Sequence, residues 1–302
     1  MEKIKIGILG LGRMGYNLAL NLMDKGHEVV AYNRSREKVE DIEKEGATGA
    51  YSLEEFSEKL GENKVVWLMV PAGDALEEVM KNMLPYMREG DIMIDGGNSY
   101  YKDSIKHGQL LNEKGILFLD VGTSGGIEGA RNGACYMVGG DKKAYDKIEA
   151  IFRDTSVENG YGYFGKAGAG HFVKMIHNGI EYGMMQAIGE GFEVVEKSEF
   201  NDGIDKRKLS QVWNNGSVIR SWLVELIERA YTNDIKLEKY TGAVGLSGEG
   251  EWTVKIAKEL DVPVPVIEES VNARFRSIKE PRYQGKVVQA LRFEFGGHKQ
   301  PE

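Results

Sequence analysis

The chain has 302 residues, 41% of them hydrophobic and 28% charged, which is enough for two ordinary globular domains. Its net charge of −8 argues against non-specific binding to nucleic acid, which requires a basic face. The single cysteine, Cys135, excludes an internal disulfide, fits a reducing compartment and is expected to be a packed strand residue. No apolar run reaches the ~18 residues of a membrane span, and no signal peptide precedes the first strand, so we expect a cytoplasmic protein without membrane contacts.

The first predicted strand runs into a glycine motif. Apolar patterning predicts a strand over residues 3–9, a helix up to residue 25 and a second strand over residues 27–33. Between the first strand and the helix stands a G-x-G-x-x-G sequence formed by Gly10, Leu11, Gly12, Arg13, Met14 and Gly15. In this βαβ setting Gly10 provides a tight turn, Gly12 lets a pyrophosphate approach the backbone, and Gly15 permits close helix–strand packing. The motif predicts dinucleotide binding at the helix N-terminus, and a glycine-rich turn of purely packing origin is the alternative.

The end of the second strand discriminates between dinucleotides. An NAD site usually presents an acid there to the ribose hydroxyls, whereas this chain has Asn33, Arg34 and Ser35. Asn33 and Ser35 offer hydrogen bonds to a 2′-phosphate, and Arg34 offers an ion pair or a stacking surface. We therefore favour NADP as the cofactor, with NAD as the alternative because Arg34 is equally able to cover the adenine of NAD.

The alternation of strands and helices continues to about residue 165. Further strands are predicted at 64–70, 91–95, 116–121 and 160–165, and further helices at 74–87, 101–114 and 142–154. This pattern predicts a doubly wound, Rossmann-like α/β domain, whose ligands gather at the carboxyl ends of the strands. One polar loop at that edge contains Asn98, and another contains Ser124, Gly125 and Gly126. Both loops suit a polyol, although turn chemistry alone would also account for them.

The second half of the chain is predominantly helical. The 3.6-residue period predicts helices at about 171–198, 206–213, 217–231, 251–260 and 264–278. We place the domain boundary before the first of these, with a dinucleotide-binding domain at 1–168 and an all-α domain at 169–302. The segment at residues 290–298 is rich in Phe and Gly, so we expect a tail with little helix of its own that frays or docks into a cleft.

One polar face of the helix predicted at the start of the second half has the residue types of a proton-transfer site. At 100° per residue, Lys174, Asn178 and Glu181 fall within a sector of roughly 60°. His177 and Tyr182 flank this sector. An amine able to act as a base and a carboxyl able to act as an acid would then project from one rigid scaffold. The alternative is a solvated charged face on a surface helix.

Six ordered blocks of this sequence resemble the decarboxylating 6-phosphogluconate dehydrogenases. They are residues 10–15, 95–99, 124–131, 170–183, 273–277 and 292–298, and the string His-Asn-Gly-Ile-Glu-Tyr at 177–182 is the most specific. The resemblance covers nearly the full length and is to the short form of the family, with one helical unit. It implies that Lys174 is the base and Glu181 the acid. For the sugar acid it implies Asn98, Ser124, Gly125, Gly126, His177, Asn178 and Tyr182, and for the cofactor it adds Val70, Pro71 and Ala72, with Asn98 touching both ligands.

The same resemblance implies a phosphate site and an oligomer. Arg274 would bind the phosphate, aided by Arg292 and His298 delivered from a neighbouring subunit of a homo-oligomer, either a dimer or a tetramer. One departure is that Glu251 stands where the long form has a phosphate-contacting lysine. Another cation must therefore substitute for it, or Glu251 must point away. No metal is required, and the five histidines are scattered without metal-ligand spacing.

The implied reaction belongs to the pentose phosphate pathway or gluconate utilisation. It is oxidation at the third carbon of 6-phosphogluconate with hydride transfer to NADP, loss of CO₂ to leave an enediol, and protonation to ribulose 5-phosphate. Lys174 would accept the hydroxyl proton and Glu181 would protonate the enediol. Two other functions stay open. A related β-hydroxyacid dehydrogenase of the 3-hydroxyisobutyrate or tartronate semialdehyde type would lack the Glu181–Tyr182 pair and the Arg/His tail, and a non-catalytic NADP-binding sensor would need no acid/base pair.

Overall fold

The computed structural model describes residues 3–246 and 248–301. The chain divides into two compact units, Met1–Met175 and Ile176–Glu302. The boundary predicted from the sequence, at residue 168, precedes a long helix, whereas the division into compact units falls inside that helix.

The first unit is built on an eight-stranded sheet with the strand order β3-β2-β1-β4-β5-β6-β7-β8. The strands are β1 (Lys5–Leu9), β2 (Glu28–Tyr32), β3 (Thr48–Ala50), β4 (Val65–Leu68), β5 (Ile92–Asp95), β6 (Leu117–Ser124), β7 (Ala134–Gly140) and β8 (Ser156–Tyr163). All neighbouring pairs are parallel except β6 and β7. The doubly wound α/β class predicted from the sequence is confirmed.

Helices cover both faces of this sheet. They are α1 (Arg13–Asp24), α2 (Arg36–Lys44), α3 (Leu53–Leu60), α4 (Asp74–Met83), α5 (Tyr101–Asn112), α6 (Gly126–Asn132) and α7 (Lys142–Thr155). Alternate residues of β4 enter two different apolar clusters, with Trp67 in one and Val66 and Leu68 in the other. Burial on both faces explains why β4 and β5 are continuous apolar runs rather than alternating ones.

The second unit is helical throughout its regular elements. The helices are α8 (Ala169–Lys197, which begins in the first unit), α9 (Lys206–Asn214), α10 (Trp222–Asn233), α11 (Glu249–Glu259), α12 (Pro265–Lys279) and α13 (Tyr283–Gly296). Helix α10 begins later than predicted because the Ser221 side chain accepts the Val224 N–H and so caps its N-terminus. Over the part of the chain that the structure describes, no helix combines the length and apolarity needed to cross a membrane.

The C-terminal segment corrects a prediction from the sequence. We expected little helix there, but α13 continues to Gly296 and ends at Gly297 in a left-handed conformation. Val287, Val288 and Leu291 are buried in the core of the second unit. Burial of this apolar face outweighs the low intrinsic helix propensity of β-branched and aromatic residues.

Candidate active site

The glycine motif adopts the geometry that dinucleotide binding requires. Gly10 has a φ of +105°, a conformation that favours glycine, and its N–H donates to the Tyr32 carbonyl at 2.9 Å. A β-carbon at Gly15 would overlap the carbonyl oxygen of Gly10, so the start of α1 packs directly on the turn. At Gly12, by contrast, no described atom lies within 4 Å of the place that a β-carbon would take. The loop is therefore tightly packed at Gly10 and Gly15 and leaves space for a ligand at Gly12.

The N-terminus of α1 is available to an anion. Gly12 is its N-cap residue, so no side chain caps the helix, and its first turn contains no acid. The first backbone N–H groups of a helix have no partner within the helix, and here they include those of Met14 and Gly15. The helix dipole adds a positive field at this end. These features fit the pyrophosphate of a dinucleotide.

The polar residues after β2 differ in their contacts with the rest of the chain. The Asn33 side chain accepts the Leu11 N–H through Oδ1 at 3.0 Å and donates to the Ser35 carbonyl at 3.3 Å, so it mainly holds the glycine loop. Arg36 is tied to Glu40 and lies over the Tyr51 ring. Arg34 and Ser35 remain exposed beside the loop. They are therefore the candidates for contact with the adenine ribose.

Backbone from two neighbouring strand ends forms the floor beside the glycine loop. The Met69 N–H donates to the Leu9 carbonyl at 2.8 Å, which holds the segment after β4 against β1. A β-carbon at Gly97 would lie 2.7 Å from the Val70 carbonyl, so the loop after β5 packs tightly on this segment. Pro71 and Ala72 follow and are exposed at the same edge. Val70 thus lies beside Gly10, and contact of Val70, Pro71 and Ala72 with the cofactor stays a prediction.

Asn98 links the two polar loops of this edge. Its φ is +52°, and its side chain accepts the Thr123 N–H at 2.9 Å and donates to the Thr123 carbonyl at 3.3 Å. Ser124 is the last residue of β6, and Gly125 and Gly126, both with positive φ, turn the chain into α6. The two loops that the sequence predicted to share a sheet edge are joined by the amide of Asn98.

Lys174 lies on the first turns of α8, directly over the sheet. A β-carbon at Gly122 of β6 would overlap the Lys174 side chain, and Lys174 is only 6% exposed. Cys135 is paired with Ser124 in the β6–β7 register and interacts electrostatically with Lys174. Cys135 does lie in a strand as predicted, but it is exposed rather than packed, unlike the other residues of β7.

In the second unit, α8 continues with the rest of the predicted polar face. Nδ1 of His177 lies 3.0 Å from Oδ1 of Asn178 and 3.7 Å from Oε2 of Glu181. A β-carbon at Gly179 would collide with Thr253 of α11, which shows that α11 packs closely on the neighbouring face of α8. His177, Asn178 and Glu181 therefore form one cluster on a helix whose other side is fixed by packing.

Two buried arginines form a cationic cluster in the second unit. Arg274 is 2% exposed, and its guanidinium carbon lies 3.3 Å from the centre of the Tyr182 ring. Burial lowers the pKa of Arg274 to about 10, with Tyr182 opposing the shift and Arg292 adding to it, so the group stays charged at neutral pH. Burial also lowers the pKa of Arg292. Nη2 of Arg274 has no hydrogen-bond partner among the described residues, while Nη1 donates to the Gly245 carbonyl at 3.4 Å and Glu181 and Glu249 interact electrostatically with the guanidinium.

Arg292, His298 and Glu251 are the remaining residues of the predicted phosphate site. Arg292 is buried and lies close enough to Arg274 of the same chain for electrostatic interaction, and its delivery from a neighbouring subunit stays a prediction. The His298 backbone is likewise held by its own chain, since its carbonyl accepts Nε2 of Gln289 at 2.8 Å. Glu251 is exposed on the first turn of α11. Arg292 is therefore the candidate for the cation that takes the place of the long form's lysine.

Gln289 is a functional candidate that the sequence reasoning missed. It is fully buried on α13, and its Oε1 accepts Nη1 of Arg292 at 2.7 Å while its Nε2 holds the His298 carbonyl. It thus orients both predicted groups of the C-terminal segment. The available signal was the i,i+3 spacing of Gln289 and Arg292, which has meaning only on a helix that we had not predicted.

Family models and similar proteins agree with this geometry. Residues 5–165 match the model described as the NAD binding domain of 6-phosphogluconate dehydrogenase, and residues 170–292 match that of its C-terminal domain. The chain is 51% identical to YqeC of Bacillus subtilis, provisionally named a 6-phosphogluconate dehydrogenase, over 98% of both chains. It is 40% identical, again over 98% of both chains, to the NAD(+)-dependent decarboxylating 6-phosphogluconate dehydrogenase of Haloferax volcanii.

A solved structure extends the likeness to three dimensions. The 6-phosphogluconate dehydrogenase of Plasmodium falciparum, studied with NADP+ and with 6-phosphogluconate, superposes with a TM-score of 0.83 at 35% identity. The match covers 91% of this chain but spans only 62% of the Plasmodium chain. The chain therefore belongs to the 6-phosphogluconate dehydrogenase family and is an NAD(P)-dependent dehydrogenase.

Proposed function

We propose that the chain oxidises and decarboxylates 6-phospho-D-gluconate to ribulose 5-phosphate and CO₂, with reduction of NADP. The observation that carries this proposal is the buried pair Arg274 and Arg292 in the second unit. Burial of two neighbouring cations costs on the order of several kcal/mol, and Tyr182, Glu181 and Glu249 offset part of this cost through electrostatic interaction. A bound anion between the two guanidinium groups would complete the compensation. A phosphate monoester supplies two negative charges and three acceptor oxygens, which match the fork of a guanidinium. A β-hydroxyacid without phosphate offers a single carboxylate, with one negative charge for the two cations.

The first unit supplies the cofactor site of the proposal. The open cradle at Gly12 and the uncapped N-terminus of α1 would hold the pyrophosphate. Val70, Pro71 and Ala72 would lie along the nicotinamide half. NADP is favoured over NAD because no acid follows β2 and Arg34 is exposed there. When bound, this cofactor accepts the hydride from the third carbon of the substrate.

The proton transfers are assigned to α8. Lys174, in its neutral form, would take the proton of the hydroxyl that becomes the ketone, and as an ammonium it would then stabilise the developing oxyanion. Loss of CO₂ from the resulting β-keto acid leaves an enediol. Glu181 would deliver the proton that converts the enediol to ribulose 5-phosphate, and the nearby Nδ1 of His177 is placed to interact with its carboxyl group. Asn98, Ser124, Gly125, Gly126, Asn178 and Tyr182 would hold the sugar acid.

The direct test is NADPH formation, followed by absorbance, with 6-phosphogluconate, unphosphorylated gluconate and 3-hydroxyisobutyrate. We expect turnover with 6-phosphogluconate, faster with NADP than with NAD. Turnover with 3-hydroxyisobutyrate alone would favour the related β-hydroxyacid activity. Tight NADP binding without turnover of any substrate would favour a sensor.

The role of the arginine pair is tested by Arg274→Met. Loss of a buried charge-assisted contact to phosphate should lower kcat/KM for 6-phosphogluconate by about 10²-fold, while any residual activity on gluconate stays unchanged. The matched control is Arg276→Met on the same helix, where Arg276 is exposed and paired with Glu269. Equal effects of the two substitutions would remove the argument for a phosphate site at Arg274.

A further inference from the structure

A buried polar cluster lies beneath the first turn of α8 and takes no part in the proposed chemistry. Asp95 and Asp120 are paired residues on β5 and β6, and both are fully buried. His171 of α8 and Ser104 of α5 complete the cluster, with Nδ1 of His171 2.8 Å from Oγ of Ser104. Buried carboxylates are costly unless backbone or cationic groups stabilise them. Their presence beneath one helix end therefore calls for a specific role.

Asp120 acts as the missing cap of α8. The helix begins at Ala169 after Gly168, which has no side chain to cap it. The Asp120 carboxylate accepts the Gly168 N–H through Oδ1 and the His171 N–H through Oδ2, both at 2.8 Å. His171 is the third residue of the helix, and its N–H is one of those that an N-cap side chain normally takes. A residue on the sheet thus fixes the start of the helix.

His171 and Asp95 extend this anchor to the loop that carries Asn98. Nδ1 of His171 lies 3.8 Å from Oδ2 of Asp95, and Oδ1 of Asp95 accepts the Gly97 N–H at 2.9 Å. Burial raises the pKa of Asp120, with His171 and the two backbone N–H groups opposing the shift and Asp95 adding to it. The cluster is therefore electrostatically coupled as well as hydrogen-bonded. It connects the start of α8 with the polar loop after β5.

Close contacts at two glycines fix the position of Lys174 relative to the start of α8. A β-carbon at Gly170 would overlap the Asp120 carbonyl and lie 2.5 Å from the Met137 carbonyl, so the helix rests on the strand backbones. One turn later, Lys174 lies against Gly122 of β6. Between these contacts the helix has little freedom to shift along the sheet. The carboxylate of Asp120 determines the distance of the first turn of α8 from the sheet and the rotation of α8 about its own axis.

We propose that Asp120, through its two hydrogen bonds to the start of α8, is the positioning residue for Lys174, and that His171 and Asp95 hold it in place. The inference rests on the proposed role of Lys174 as the proton acceptor. A misplacement of a reacting group by about 1 Å costs roughly 10²-fold in rate. The loss of either hydrogen bond would therefore appear in kcat rather than in cofactor binding.

The test compares Asp120→Asn with a matched control, Asp91→Asn. Asp91 is also buried and also accepts two backbone N–H groups, from Lys64 at 2.7 Å and from Arg88 at 2.8 Å. Asp91 differs in its position, because it immediately precedes β5 and so lies at the amino-terminal end of that strand. We expect both variants to lose a comparable amount of melting temperature. Only Asp120→Asn should lower kcat, by about 10²-fold, with the dissociation constant for NADP unchanged.

Two further measurements do not depend on how well Asp120→Asn folds. Amide hydrogen exchange should be faster at Gly168 and His171 in that variant and unchanged in Asp91→Asn. Ser104→Ala, a mild change that removes only the hydroxyl partner of His171, should lower kcat by about 5-fold and leave NADP affinity intact. Unchanged exchange at His171, or equal kcat in the two Asp variants, would overturn the proposal.

The outcome can be separated from that of the proposed function. If Lys174→Met retains full activity, the catalytic assignment fails whatever the Asp120 variant does. If Lys174→Met is inactive and Asp120→Asn turns over at the rate of Asp91→Asn, only the positioning role fails.

Discussion

Packing fixes the position of Lys174, as expected for a residue that transfers a proton. It is buried against the backbone of Gly122, and α8 carries it from a start that the sheet fixes. We expect Lys174→Met to abolish NADPH formation, because the thioether has similar length but cannot accept a proton. Binding of NADP, measured by fluorescence titration, should be unchanged. Lys166→Met, at an exposed lysine just before α8, is the control and should turn over normally.

Glu181 differs from Lys174 because it is partly exposed and has an imidazole beside it. Its Oε2 lies 3.7 Å from Nδ1 of His177, and the pair occupies successive turns of α8. For Glu181→Gln we expect kcat to fall by about 10²-fold or more, the usual scale for a general acid. The measurement is steady-state kinetics with 6-phosphogluconate. A change confined to KM would indicate that Glu181 binds the substrate without transferring a proton.

Residue-level prediction from the sequence succeeded where a residue's position follows from local geometry. The roles of Gly10, Gly12 and Gly15 follow from one strand–turn–helix unit, and the structure has that unit. It did not foresee the hydrogen bonds of Asn33, whose amide is engaged by the Leu11 N–H and the Ser35 carbonyl, and the contact of Asn33 with the cofactor stays a prediction. Whether a polar side chain faces a ligand or its own backbone depends on the loop conformation, which a pattern of residue types does not specify.

At the scale of elements, α8 shows how close approach to the sheet is obtained. At Gly170, backbone atoms of β6 and β7 occupy the space that a side chain would need. We expect Gly170→Ala to destabilise the protein by about 1–3 kcal/mol through overpacking and to lower kcat by displacing Lys174. Thermal melting and steady-state kinetics measure the two effects.

The same helix contains the control for this prediction. At Gly191 a β-carbon would meet no described atom within 4 Å. Gly191→Ala should therefore raise stability by roughly 0.5–1 kcal/mol, because alanine loses less backbone entropy in a helix. Destabilisation of similar size at both positions would show that contact with the sheet is not the reason for Gly170.

Elements with strong periodicity were predicted well, and weakly apolar ones were not. Helices α8, α9, α11 and α12 lie within a few residues of the predicted bounds. No helix or strand was predicted for the segment that forms α2, β3 and α3, because α2 is highly charged and β3 has only three residues. Helix α13 was missed for a different reason: its glycines and aromatics suggest a tail, and only burial against the second unit makes it a helix.

At the scale of the whole molecule, the charge distribution has to reconcile two opposite needs. The net charge is −8, yet the proposed cofactor and substrate are both anions. The cations for the proposed phosphate are buried rather than spread over the surface. Salt screens buried charges far less than exposed ones. The N-terminus of α1 provides the other anion site through backbone dipoles, without any added charge. An acidic protein can in this way bind anions selectively.

The placement of Arg292 leads to a prediction about the assembled protein. Because Arg292 is buried beside Arg274 of its own chain, each chain should supply its own second cation. Co-expression of Lys174→Met and Arg292→Ala chains should then give no more activity than the two variants separately. If a neighbouring subunit delivered Arg292, a mixed dimer would contain one complete site, and random pairing would restore about a quarter of the wild-type activity. Separately tagged chains, purified through both tags, make the comparison direct. Activity in that fraction would mean that α13 is exchanged between subunits in solution, and its absence would locate the whole proposed phosphate site within a single chain.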